Sequence, residues 1–384
     1  MNISTAQAYS ILAVLDGAVL NKDGSLTVAF FLQNPEAYSF DEDILHSRHH
    51  DFFRAFKHMP DDSFVHKQDV FLKKKYQSEK HIRSNSFIGK AERKYFDGRE
   101  YLEHHCVLAF TLTGLATLEK SYQQNPLKYS ESLSKSDKER LSIFLDAVEQ
   151  ATIIIGNMPN TCLTKMTDDE LSNYINSFVN GFQEDHSLRD IQFDEHLKIG
   201  KAKGSIFSIS DEKYLPDTLP ILTIDDTLPV ANSSLVMAYL EKIGVHLLAN
   251  HVYNQIIYFE GSKKLKRALE KRVQVFGQHQ KFSAQIEFEY NRLKKLEKEV
   301  IQEDCLLCRS HFNIMVWDED PEVLAVAEKK IKEALSLQNI LHYHPSFDGI
   351  RNIFIGSIIG RESKLDSSLF MFLDLAASLT LFIH

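Results

Sequence analysis

The 384-residue sequence has 44 Lys and Arg against 53 Asp and Glu, which gives a formal net charge of −9. Its 43% hydrophobic residues, with 26 Phe and 14 Tyr, are typical of a folded chain with a large core and exclude extensive disorder. The acidic balance disfavours a dedicated nucleic-acid-binding protein, and four Cys exclude a disulfide-rich scaffold.

The first region, 1–120, is predicted to be a strand-rich α+β subdomain. Asp16-Gly17 and Asp23-Gly24 supply the positive φ angles that tight hairpins require, so they separate consecutive short strands. Pro60 ends the helix that follows them. The predicted elements are strands at 11–15, 18–20, 25–32, 64–76 and 106–113 and a helix at 41–58.

The middle region, 121–230, is predicted to be helical and turn-rich. It opens with a polar loop at 121–136, followed by a helix at 136–155 whose apolar residues recur at helical spacing. Thr167 and Glu170 form a capping-box pattern that begins a second helix. Three prolines within 190–232 indicate turns and a subdomain boundary there.

The last region, 231–384, is predicted to be an α+β subdomain with basic and charged helices. Its elements are a strand at 252–259, helices at 262–276 and 284–302, a strand at 310–317 and a helix at 321–337. This β-α-α-β-α order predicts crossovers on one face of a sheet. The whole chain is therefore assigned to the α+β class, with mixed sheets, packed helices, at least two subdomains and no RecA-like motor.

Neither end of the sequence predicts a membrane segment. The first 17 residues contain no Lys or Arg before their short apolar run, which is unlike a secretory signal. The apolar tract 369–383 contains Asp374 and is shorter than the roughly 20 residues that span a bilayer. A buried or amphipathic terminal helix is expected there, in a cytoplasmic protein.

A nucleotide-binding loop would need Gly, four residues, then Gly-Lys-Ser/Thr, so that backbone amides and the lysine surround the phosphates. The segment 356–363 has the wrong spacing and no lysine. The segment 114–121 places Glu119 where the second glycine belongs, which adds a side chain and a negative charge. Neither segment qualifies, so no ATP- or magnesium-binding residues are assigned.

A second candidate is the ligand-type spacing Cys305-x2-Cys308-x2-His311. A tetrahedral zinc site needs a fourth ligand, for which His251 or His279 is available. The alternative is that these are packed cysteines at the start of an apolar strand. No nucleophile can be paired with a base anywhere in the sequence, so no catalytic, cofactor or metal residues are assigned.

The third candidate is a basic helix. The segment 261–299 contains 11 basic and five acidic residues within an otherwise acidic chain. Such a patch could contact DNA phosphates, anionic lipid or an acidic partner; the alternative is a solvated helix face. The residues assigned to this contact are Lys263, Lys264, Lys266, Arg267, Lys271 and Arg272.

The next helix carries an apolar stripe suited to a partner helix, either within this chain or from another subunit. Its members are Ile286, Tyr290, Leu293, Leu296 and Val300.

Several separate motifs, in order along the chain, resemble the N-terminal region of the TraG family of conjugative-transposon transfer proteins. The resemblance covers most of 1–317 and weakens in 121–210 and after 345. The segments that carry it are MNISTAQAYSIL (1–12), KDGSLT (22–27), VHKQD (65–69), NHVYNQ (250–255) and RSHFNIMVW (309–317).

The resemblance implies a part of a conjugation ATPase similar to the motors of type IV secretion. In that family a RecA-like domain with the phosphate loop follows this region, and ATP and magnesium are expected only there. The resemblance therefore implies a non-catalytic docking and assembly role at the cytoplasmic face of the inner membrane. The expected partners are other type IV secretion proteins and further copies of the chain, with DNA as a weaker alternative.

Overall fold

A computed structural model describes residues 11–36, 41–80, 86–115, 133–183, 189–209, 214–216, 219–225, 235–245, 247–302, 306–361 and 369–380. The strands are β1 Ile11–Leu15, β2 Ala18–Asn21, β3 Leu26–Gln33, β4 Ser63–Lys75, β5 Glu100–Leu112, β6 Cys162–Lys165, β7 Ile191–Phe193, β8 Leu197–Ile199, β9 Ala202–Ile209, β10 Leu222–Asp225, β11 Leu235–Ala238, β12 Asn250–Phe259, β13 Leu307–Asp318 and β14 Leu369–Phe372. The helices are α1 Glu42–Lys57, α2 Phe87–Phe96, α3 Lys135–Gly156, α4 Asp168–Val179, α5 Glu241–Val245, α6 Ser262–His279, α7 Ala284–Gln302, α8 Pro321–Leu337, α9 Asp348–Gly356 and α10 Leu373–Ser378.

One large sheet of 12 strands organises the described part of the chain. Its order is β1-β2-β3-β5-β4-β12-β13-β9-β8-β7, with β14 paired to β13 and β6 paired to β3. Each of these pairings is antiparallel. A separate antiparallel pair joins β10 and β11. The α+β class predicted from the sequence is confirmed.

The centre of the sheet joins distant parts of the sequence. Residues 63–71 of β4 pair with residues 251–259 of β12, and β12 continues to β13 on its other side. Helices α1, α3, α8 and α10 cover one face, and α4 and α9 cover the other. Because both faces are covered, the central strands are buried along most of their length.

The local patterning of several helices is confirmed. Thr167 and Glu170 form the capping box that begins α4, and their side chains satisfy each other's backbone amides. Asp41 accepts a hydrogen bond of 2.8 Å from the amide of Ile44 at the start of α1. The bounds of α7 and α8 match the predicted 284–302 and 321–337.

Three expectations are wrong. The region 190–232 is predicted to be turn-rich, but β7, β8 and the eight-residue β9 form there; β7 and β8 have only three residues each, which leaves little pattern. The tract 369–383 was expected to be one helix, but it begins as β14 before α10. The predicted crossovers are absent from the described β12–α6–α7–β13 unit, because β12 and β13 are antiparallel neighbours.

Strands from the predicted regions 1–120, 121–230 and 231–384 all share the large sheet. The predicted loop 121–136 lies mostly outside the described residues. Within the described ranges, every helix is too short or too polar to traverse a lipid bilayer.

Two projections leave opposite ends of the central strands. Past Phe71, β4 pairs with β5 alone among the described strands. The described residues of 72–103 (72–80 and 86–103) therefore form a two-stranded extension that carries α2, and we call it the β-arm. Helices α6 and α7 follow the other end of β12, where Phe259 pairs with Ser63; we call residues 262–302 the helical hairpin. At about 3.3 Å per residue, β4 measures roughly 40 Å from Ser63, beside the helical hairpin, to Lys75 within the β-arm.

Candidate functional site

The helical hairpin carries all six basic residues assigned from the sequence, and α6 separates them into two groups. Lys263, Arg267 and Lys271 follow one another at four-residue spacing and are exposed, with Lys264 beside them. Lys266 and Arg272 lie away from that face and are half-buried. We call the four exposed residues the basic face.

An apolar seam holds the hairpin together. Leu265, Leu269 and Val273 on the side of α6 opposite the basic face are buried with Leu293 and Val300 of α7. The stripe predicted on α7 therefore packs within this chain. The close approach requires Gly277, because a Cβ at that position would lie 3.0 Å from the ring of Tyr290.

The far end of the hairpin exposes large apolar side chains. Phe282 is 79% exposed and Phe288 is 65% exposed, with Val275 nearby on α6 also exposed. Exposed aromatic groups beside basic residues are typical of surfaces that bind another molecule. The sequence analysis does not single out this tip; the available signal was Phe282, which lies between two charged helices.

A groove of about 520 Å³ runs along α7, from Phe288 to Glu299, and is closed by β14 and α10. Leu293, Leu296 and Phe370 are among its apolar lining residues. Arg272, one of the predicted residues, and Lys295 also line it. This volume and apolar lining would accommodate a few side chains of a partner.

A buried ion cluster lies in the sheet, on β4 and β5, far from the hairpin's tip. Lys67 Nζ is 2.5 Å from Asp69 Oδ2, and His104 Nε2 is 3.0 Å from Asp69 Oδ1. Burial lowers the pKa of Lys67 and raises that of Asp69, but their mutual attraction outweighs burial, so the pKa of Lys67 is raised and that of Asp69 is lowered. Both groups are therefore charged at neutral pH.

Cys106 pairs directly with Asp69 across β4 and β5. Cys, His and Asp are the residue types of a nucleophilic triad, but here burial and then the Asp69 charge raise the pKa of the Cys106 thiol well above its ordinary value. A nucleophilic cysteine needs a lowered pKa and access for substrate. Cys106 is only 4% exposed, so the cluster has the properties of a structural ion pair.

A row of hydrogen-bonded polar side chains crosses the other face of β4, β12 and β13. Tyr174 donates to Gln68 over 2.6 Å, and Gln68 donates to Asn254 over 2.6 Å. Asn254 then donates to Asn313 over 2.9 Å, and Asn313 donates to His311 Nε2 over 3.0 Å. We call these five residues the polar row. Each of them is buried, and the bonds run in one consistent direction.

The sequence segments 65–69, 250–255 and 309–317 form the neighbouring strands β4, β12 and β13. The ion cluster and the polar row draw most of their side chains from these segments. Sequence analysis treated them as strand-forming elements and missed their polar contacts. The signal was four consecutive polar residues, 66–69, between apolar residues of a single strand.

The nucleotide-like and zinc-like segments contribute to packing. The carbonyl oxygen of Gly360 accepts a hydrogen bond from the Asn21 side chain, and that of Gly114 accepts one from the Arg140 guanidinium. Cys308 and His311 lie three residues apart on β13, so their side chains point to opposite faces. Among the residues that the structure describes, no three His, Cys, Asp or Glu side chains are grouped to hold a metal ion. Cys305 and the remainders of the two nucleotide-like segments, 116–121 and 362–363, lie outside the described residues.

Comparison with known proteins gives no assignment: no family model matches the chain, and no curated protein matches it.

Proposed function

We propose that this chain is a non-catalytic docking and assembly component of a conjugative DNA-transfer machine of the type IV secretion class. The conjugative setting rests on the resemblance of five ordered segments to the TraG family. The observation that carries the docking role is the helical hairpin, which combines the basic face, an exposed aromatic tip and an apolar groove.

The arrangement of the charged groups supports a role in binding. The ion cluster and the polar row, which are the densest groups of polar side chains described above, are buried and hydrogen-bonded. On the helical hairpin, by contrast, the four residues of the basic face are exposed and therefore available to another molecule. In this proposal the chain binds no ATP, magnesium or other cofactor, and any hydrolysis belongs to a motor domain of the TraG type.

The proposed partners are other type IV secretion proteins at the cytoplasmic face of the inner membrane, with the chain held there peripherally. Further copies of the chain are a second class of partner for the same groove. Acidic partner surfaces would complement the basic face, while apolar side chains would occupy the groove.

Reversal of the basic face is expected to impair DNA transfer. In donor cells that carry the conjugative element, Lys264→Glu with Arg267→Glu should lower the frequency of transfer by about tenfold or more, since like charges across an interface oppose binding. Cellular levels of the variant should be unchanged, because both side chains are exposed. Lys329→Glu with Lys330→Glu on the exposed side of α8 is the matched control.

The control pair should transfer DNA as the parent does, and an equal loss in both variants would refute a specific role for the hairpin. The purified chain should also hydrolyse ATP no faster than a blank. Magnesium-dependent turnover would contradict the non-catalytic assignment.

A second candidate function is direct contact with DNA through the same basic face. Lys263, Arg267 and Lys271 are about 6 Å apart along the helix axis, so three positive charges face solvent in a row, with the exposed Glu270 beside them. Four phosphate contacts predict that affinity for duplex DNA falls about 100-fold between 50 and 200 mM salt.

Reversal of Lys264, Arg267 and Lys271 should leave little of that salt dependence. The measurement is a fluorescence-anisotropy titration of labelled duplex DNA at several salt concentrations. A chain that binds no DNA at 50 mM salt would eliminate this candidate and leave the protein-docking role.

A further inference from the structure

The second projection, the β-arm, presents an apolar helix face directly to solvent. In α2, Phe87 is 87% exposed, Ile88 is 76% exposed and Tyr95 is 60% exposed, and no residue of the helix is buried. These three side chains lie on one side of the helix, together with Ala91. The least exposed residues, Gly89 and Arg93, lie on the opposite side.

The helix is nevertheless firmly placed. Ser86 accepts a hydrogen bond of 3.1 Å from the amide of Gly89, which fixes its first turn. At its other end the Arg99 guanidinium lies 3.6 Å from the centre of the Tyr95 ring, and Phe96 packs edge-on to Tyr76. The outward direction of the apolar side is therefore set by local contacts.

Positive charge borders one margin of this apolar side, and the exposed Glu92 lies on the other margin. The β-arm, 72–103, contains nine Lys and Arg against five Asp and Glu, in a chain whose net charge is −9. On α2 itself, Lys90 and Lys94 follow the margin of the apolar side at four-residue spacing and are exposed. Their long aliphatic stems allow the ammonium groups to reach outward beside an apolar phase.

We propose that the tip of the β-arm binds the surface of an anionic lipid bilayer. Phe87 and Ile88 would enter the boundary between headgroups and acyl chains, and Lys90 and Lys94 would contact lipid phosphates. An outward apolar side with a basic margin is the pattern of interfacial helices. This inference deepens the proposed function, since it supplies the surface through which the chain is held at the membrane.

Because the β-arm and the helical hairpin leave opposite ends of β4, lipid binding at one leaves the other free. The hairpin would then face away from the bilayer, at the opposite end of β4, which measures roughly 40 Å. The two projections can therefore be tested separately.

The test is co-sedimentation of the full chain with vesicles of 30% phosphatidylglycerol and 70% phosphatidylcholine. The parent chain is expected to bind these vesicles at least tenfold more strongly than pure phosphatidylcholine vesicles. Phe87→Ser with Ile88→Ser should reduce binding by about tenfold or more, as should Lys90→Glu with Lys94→Glu. Phe282→Ser with Phe288→Ser at the hairpin tip is the matched control and should bind normally.

A Phe87→Trp variant gives a direct readout of insertion, because the one native tryptophan, Trp317, is buried. Its fluorescence should shift to shorter wavelength on anionic vesicles only. The proposal would be overturned if the parent chain did not bind anionic vesicles. It would also be overturned if the hairpin control lost vesicle binding while the β-arm variants kept it. Arm variants that keep vesicle binding but lose DNA transfer would also overturn it and point to a protein partner.

A failure of the proposed function can be told apart from a failure of this inference. If the Lys264→Glu, Arg267→Glu variant transfers DNA normally, the hairpin has no docking role. If the same variant also binds vesicles normally, the lipid site remains supported.

Discussion

Asp69→Ala is expected to lower the free energy of unfolding by about 3–5 kcal/mol. The substitution leaves the Lys67 ammonium, which is 1% exposed, without the carboxylate that lies 2.5 Å away. It also removes the acceptor of His104. An unpaired buried charge costs far more than the loss of a contact at the surface, because no water replaces the missing partner.

Urea unfolding followed by the fluorescence of Trp317 measures the loss. Glu333→Ala is the matched control, since it breaks the exposed pair of Lys329 and Glu333 on α8 and should cost less than about 0.5 kcal/mol. Lys67→Met combined with Asp69→Leu should recover part of the loss, because neither charge then remains buried. Equal effects of Asp69→Ala and Glu333→Ala would mean that water reaches Lys67.

Acid is expected to destabilise the fold by about 4 kcal/mol between pH 7.5 and pH 5, through His66 and His251. Burial lowers the pKa of each from 6.5 to about 4, even though Asn254 and the carbonyl of Ala249 oppose that shift by hydrogen bonding. Below pH 6.5 the unfolded chain therefore binds two protons that the folded chain excludes. The stabilisation is complete above about pH 6.5 and is lost as the pH falls towards 4.

His66→Gln should reduce this loss by about 2 kcal/mol, because glutamine does not titrate and can still donate to Asn254. The measurement is a series of urea-unfolding curves from pH 7.5 to pH 5. His196→Gln, on an exposed turn, is the control and should leave the pH dependence as it is in the parent. A parent chain whose stability is constant over this range would contradict the neutral state of both buried rings.

Much of the helical structure follows from local pattern. Asp320 and Pro321 mark the beginning of α8, and the spacing of Leu324, Ala327 and Ile331 gives its buried side. The same logic gave α7 and the capped start of α4. These signals are carried by residues within one or two turns of each other, so no knowledge of the rest of the chain is needed.

The buried ion cluster could not be derived in that way. His66, Lys67, Gln68 and Asp69 form a polar run, which by itself is typical of an exposed segment. They are buried because β5 and β12 pair on either side of β4 and helices cover both faces. Those contacts depend on the tertiary fold. The sequence pattern therefore predicts that β4 is a strand, but not that its polar side chains are buried and paired.

The helix α2 was missed for a different physical reason. Ser86 is a good N-cap, but the apolar side of α2 faces solvent and adds nothing to a core. The basic residues of α6 were predicted as a group, yet only the helical geometry shows that four share one face while Arg272 lines the groove.

The pairing of β4 with β12 has a consequence during synthesis on the ribosome. Val65 is the register partner of Ile257 in the sheet, so one edge of β4 has no partner until roughly 190 further residues have been translated. At about 5–20 residues per second this wait is on the order of 10–40 s. Such a high contact order predicts slow folding of the nascent chain. A truncated product that ends before β12 would leave the backbone groups along one edge of β4 unpaired and is expected to aggregate.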